Sequence, residues 1–80
     1  MVPQVGQIYR FTGHSEDPPM KQGDLITVLK LDHKMRADLG PPHWLVTDVS
    51  FLHEGRVVTF QMPSVKNHPE SWTGLFQEVG

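Results

Sequence analysis

Eighty residues leave room for one small domain, and seven Lys and Arg against nine Asp and Glu give a net charge of −2. That balance argues against a generic clamp for nucleic acid. The chain has no cysteine, which excludes disulfides, thiolate metal sites and cysteine nucleophiles together. With 38% hydrophobic and 20% charged residues, the composition is that of a folded chain rather than a solvated disordered one.

No apolar run exceeds three residues, far short of the roughly 20 needed to span a bilayer. Pro3, Gly6, Arg10, Glu16 and Asp17 interrupt the first stretch, so a secretory leader is not expected there. The expectation is a cytoplasmic protein with no membrane contact.

Seven glycines and seven prolines fall in clusters that divide the chain into short segments rich in β-branched and aromatic residues. The first predicted strand is 6–12, followed by a long break from Gly13 to Gly23 around Pro18-Pro19. The second is 24–32, with Ile26 and Val28 on one face and Leu25, Leu29 and Leu31 on the other. After Gly40-Pro41-Pro42 comes a third strand, 43–52, with Trp44 and Val46 opposed to Leu45, Val49 and Phe51. His53-Glu54-Gly55 then forms a short hairpin connection with a bulge, because Gly55 can take the positive φ that such a connection requires. The fourth strand, 56–62, alternates Val58, Phe60 and Met62 with Thr59 and Gln61. Val28, Val58 and Phe60 are expected inside. Between Pro63 and Gly74 a single helical turn is expected over Ser64 to Trp72, with Ser64 as cap and Pro69 as its stop. A fifth strand covers 75–79. Imperfect alternation is characteristic of strands that bend at bulges, so the prediction is an all-β, five-stranded, strongly bent small barrel.

In this order the residues resemble a Src-homology-3-like barrel. Ile8-Tyr9-Arg10-Phe11 is similar to that family's aromatic first strand, and His14-Ser15-Glu16-Asp17 stands where its acidic first loop lies. Met20 to Leu29, with Gly23-Asp24 before alternating aliphatics, resembles the diverging turn and second strand. Trp44 begins the third strand, and Pro63-Ser64 follows the fourth. The resemblance implies a five-stranded barrel and a binding rather than catalytic role. The family's ligand groove also needs an aromatic shortly after the Pro-Ser pair, where this chain has Val65-Lys66-Asn67. Tyr9, Trp44, Pro63 and Trp72 would then form a different aromatic surface. Stand-alone barrels of this size also resemble small proteins of bacteria and their phages, for which the compartment would be the host cytoplasm.

Five histidines, His14, His33, His43, His53 and His68, are many for this length, but no two are closer than ten residues. That spacing is not a metal-ligand pattern, and they read as solvated or capping side chains with no metal or cofactor expected. Ser15-Glu16-Asp17 sets a hydroxyl beside carboxylates, but chain neighbours do not make a nucleophile–base pair. No catalytic or phosphate-loop motif is present, and the chain is not expected to be an enzyme.

Lys30, His33, Lys34 and Arg36 form one basic cluster, diluted by Asp32 and Asp38 and assigned to the loop between the second and third strands. It reads as a solvated loop or as a phosphate-contacting patch. Met35 and Leu39 either fold back on the barrel or belong to a contact surface, and Trp44 and Trp72 pose the same choice.

The leading functional expectation is a non-enzymatic adaptor or inhibitor, monomeric or weakly dimeric, that binds another protein through its first two loops. Glu16 and Asp17 would face Lys34 and Arg36 across a floor of Tyr9 and Trp44, with Pro63 and Trp72 nearby. The alternative is a nucleic-acid-binding barrel that uses Lys30, Lys34 and Arg36. A third reading is a subunit that self-associates through an edge strand.

Overall fold

Turn residues and alternation produce a mostly β chain in the computed structural model, which describes residues 3–41 and 45–79. The elements are β1 (Ile8–Phe11), β2 (Ser15–Glu16), β3 (Pro19–Met20), β4 (Leu25–Met35), β5 (Leu45–His53), β6 (Arg56–Pro63), α1 (Glu70–Thr73) and β7 (Phe76–Glu78). Five strands form one antiparallel sheet in the order β6-β5-β4-β1-β7, and β2 and β3 pair separately as a small hairpin within the first long loop. Among the described residues no ladder joins the two edge strands β6 and β7. No helix among them is long and apolar enough to cross a membrane.

β4 is the spine of the sheet. Gly23, at φ +96°, turns the chain into it. Its first residues pair with β1 (Ile8 with Thr27, Arg10 with Leu25), and from Thr27 to Met35 it pairs with β5. The register shifts between Val28 and Lys30. The extra residue at this bulge, Leu29, reverses the facing of the rest of the strand. Ile26 and Val28 are buried, and beyond the bulge Leu31 packs against the same core while Leu25 and Leu29 stand exposed. This corrects the sequence-based grouping of Leu31 with Leu25 and Leu29.

Aromatic rings fill the space inside the bent sheet. Phe51 meets Phe60 and Phe76 edge-on at 5.2 and 5.7 Å, and Phe11 lies 5.3 Å from Phe76. Trp72 stacks on Phe76 at 4.0 Å and takes the edge of Tyr9 at 5.1 Å. Each such fully buried side chain contributes about 1.5–3 kcal/mol relative to exposure. Val28 is fully buried, as its alternation implies, and Val58 and Phe60 are half-buried against the core from the edge strand β6.

Two local expectations need correction. The second strand runs on to Met35, so Lys30, His33 and Lys34 belong to β4 rather than to a loop. Pro69 starts the helix instead of stopping it: at φ −59° it stands at the N-cap of α1, where its missing N–H costs nothing. Ser64 does cap a turn, but a separate one. Its carbonyl accepts from His68 N at 2.7 Å and its hydroxyl from Asn67 N at 3.4 Å. The strand predicted to begin at 43 is described from Leu45, and Trp44 lies outside the described residues.

Candidate functional site

The structure does not gather the residues that the sequence suggested as one site. Tyr9 and Trp72 are core residues, and the Tyr9 hydroxyl accepts from Gln4 N at 3.0 Å, tying down the N-terminal segment. Glu16 and Asp17 are exposed on the first loop, which lies against the turn between β5 and β6. One open cleft of about 300 Å³ there is lined by His14, Ser15, Pro19, Met20, Lys21, Asp24 and Glu54. Lys34 and Arg36 sit at the opposite end of β4, roughly 30 Å of strand contour away. Pro63 is exposed at the end of β6, opposite Val46. The two loops therefore do not flank one apolar floor.

At their end of the sheet Lys34 and Arg36 are occupied. Lys34 Nζ lies 2.9 Å from Asp48 and 3.4 Å from Asp32. Arg36 pairs with Asp38 through two nitrogens and donates to Gln61 Oε1 at 2.7 Å, while Gln61 donates to Asp48 at 3.0 Å. The Lys34 ammonium, followed by the Gln61 amide, holds the Asp48 carboxyl below its ordinary value. Arg36 does the same for Asp38, and Asp48 and then Asp32 raise Lys34. The network satisfies its own charges, leaving a smaller field for a polyanion than the sequence count suggests.

At the other end, Asp24, His53 and Glu54 converge from positions far apart in sequence. His53, expected as a solvated or capping side chain, is instead buried at the end of β5, with Nε2 2.9 Å from Asp24 Oδ2 and 4.0 Å from Glu54 Oε1. A carboxylate can only accept, so the imidazole proton resides on Nε2. Asp24 also accepts from Lys21 N at 3.1 Å, and this backbone bond, then His53, lowers its pKa. The three ligand atoms lie within 4.8 Å of one another, a spacing open to a divalent cation. Their evident work is mechanical: they latch the turn before β4 to the β5–β6 hairpin. Thr47 performs a similar service at the far end, accepting from Val65 N at 3.2 Å and lying 3.1 Å from His33 Nδ1.

The feature that sequence reasoning missed is on the outer face of the sheet. Register aligns Ile8, Thr27, Leu52 and Val57 in one row across β1, β4, β5 and β6. Three of the four are apolar and exposed: Ile8 at 46%, Leu52 at 41% and Val57 at 67%. Leu25 and Leu29 flank the row at 53% and 42%. Adjacent strands lie about 4.8 Å apart, so the row is roughly 14 Å long. The turn that makes this register has two residues, Glu54 and Gly55, at φ +50° and +77°, not the bulged three-residue connection expected, because His53 pairs with Arg56 inside the ladder. Gly55 adopts that conformation freely, whereas Glu54 does so at a cost of about 1 kcal/mol. A two-residue turn over Glu54-Gly55 sets Leu52 opposite Val57 directly, and that was the signal in the sequence.

Comparison of the chain with protein-family models, with curated proteins and with solved structures finds no match.

Proposed function

We propose that this chain is a non-enzymatic protein-interaction module of Src-homology-3-like type, and that it contacts its partner through the outer face of the sheet. Support for the family reading comes from the strand order β6-β5-β4-β1-β7, the small hairpin inside the first loop and the single helical turn before the last strand. The observation that carries the functional reading is the row of Ile8, Leu52 and Val57 with Leu25 and Leu29 beside it. Scattered exposed aliphatics are ordinary, but a contiguous set aligned by strand register marks a contact surface.

The nucleic-acid alternative is weakened by the ion pairs that hold Lys34 and Arg36. A photoreactive residue in place of Val57 should cross-link a partner chain in the cells that make the protein, and one in place of Gln61 should not. Cross-linking from position 61 with none from 57 would move the contact to the charged end.

A further inference from the structure

Two cations at the rim of this apolar face have no ion-pair partner among the described residues, and from them we propose that the occupant is an acidic, amphipathic segment of another protein. The inference rests on the contact-face reading given above. Arg10 is exposed on the outer side of β1, opposite Leu25 and two residues from Ile8. Lys30 is exposed just past the bulge at Leu29, opposite Ser50. Among the described residues, neither Arg10 nor Lys30 has a carboxylate within ion-pair distance.

The carboxylates that chain order brings nearest are turned elsewhere. Asp24, immediately before Leu25, is bound to His53, and Glu54, in the turn between Leu52 and Val57, also points to His53. Farther along the same face Asp32 and Asp48 are held by Lys34. Between these groups Ser50 and Thr59 bond each other at 2.9 Å and present no charge. An apolar centre with two unpaired cations at its edge, and with its nearest carboxylates engaged by His53 or, for Glu78, by the Gln7 amide, fits a segment that sets Leu, Ile or Phe over the row and Asp or Glu over Arg10 and Lys30.

Charge is screened within about 8 Å at physiological salt, so those carboxylates must lie over the cations themselves. A row of roughly 14 Å accommodates two to three turns of helix or about four residues of strand, which makes the occupant a short segment. Nucleic acid fits less well, since two cations fall far short of the six to ten phosphate contacts typical of salt-sensitive binders.

The test is selection from a displayed library of random peptides on three proteins: the unaltered chain, Arg10→Glu with Lys30→Glu, and Leu52→Thr with Val57→Thr. Each variant is first shown to melt cooperatively. The unaltered chain should select peptides in which Asp or Glu flanks large aliphatics or Phe. The charge-reversed protein should bind those peptides at least tenfold more weakly and select Lys- and Arg-rich ones instead. The threonine variant should also lose them at least tenfold. Vesicles of phosphatidylcholine and phosphatidylserine, and single-stranded DNA, should show no retention that depends on Leu52 and Val57.

Peptides that need Leu52 and Val57 but carry no acidic bias would overturn this inference and spare the contact face. A library with no binder sensitive to either pair would overturn both. Retention of the vesicles that depends on Leu52 and Val57 would replace the protein partner with a lipid surface.

Discussion

The outer face of β4, β5 and β6 ends differently at its two extremities, although the same three strands build both. At one extremity Asp32, Lys34, Asp48 and Gln61 meet Arg36 and Asp38, and every charge there has a partner within the chain. At the other, Leu52 and Val57 continue a row from Ile8 with no side chain of the described residues covering them. A partner docking on the first would have to desolvate charges already paired, which gains little. Docking on the second removes apolar area from water at about 25 cal/mol per Å². Exposure and chain proximity to loops thus say less about a contact surface than whether its groups are already satisfied.

The sharpest way to break that comparison is between neighbours on β5. Phe51 faces the core and Leu52 the outer side, so Phe51→Ala should cost about 3–5 kcal/mol in urea denaturation. Leu52→Thr should cost about 0.5 kcal/mol or less. Equal losses would mean that the assigned facing of β5 is wrong.

A smaller effect is expected from Thr47→Val, which keeps the shape but removes the acceptor for Val65 N. The loss should be about 1–3 kcal/mol, the penalty for an unsatisfied buried donor. If the variant is as stable as its parent, Thr47 does not hold the segment after β6.

Acid should weaken both extremities. Asp48 and Asp38 have pKa values depressed by Lys34 and Arg36, and Asp24 by Lys21 N and His53. A depressed carboxyl contributes stability that is present above its ordinary value of 3.8 and is lost as pH falls through the lowered one. The melting temperature should therefore hold from neutrality down to mild acid and drop below it, less so in Asp48→Asn. Lys34 is raised above 10.5, so its contribution is present below that pH and fades above it. The smallest effect expected is on Lys34→Ala at neutral pH, a slight fall in melting temperature that disappears in high salt. A salt-independent fall would show that packing of the Lys34 stem, rather than charge, matters there.

Much of the fold was legible because turn chemistry and alternation are local properties. Gly23-Asp24, the hairpin at His53-Glu54-Gly55 and the alternation of Val58, Phe60 and Met62 each placed an element near where it lies, the turn itself being one residue shorter than expected. The bulge at Leu29 was not legible, because one inserted residue reverses the facing of everything after it without altering composition. β4 also runs on to Met35, so the apparent basic loop is mostly strand, and Lys34 within it is paired with Asp48 and Asp32. Tyr9 was expected in the contact floor and Trp72 suited either core or contact; the packing of Tyr9 on Trp72 and of Trp72 on Phe76 puts both in the core. The outer row was missed because its members come from four strands, and their alignment exists only once register is set.

A partner on the apolar extremity of the outer face, rather than on the charged one, should leave a distinct footprint on the strands. Amide chemical-shift mapping of the isotopically labelled protein with a library-selected peptide tests it most directly. Shifts should concentrate at Ile8, Leu25, Thr27, Leu52 and Val57, with Lys34, Asp48 and Gln61 unmoved. Shifts concentrated at Lys34, Asp48 and Gln61, or on the first loop around Glu16, would contradict it.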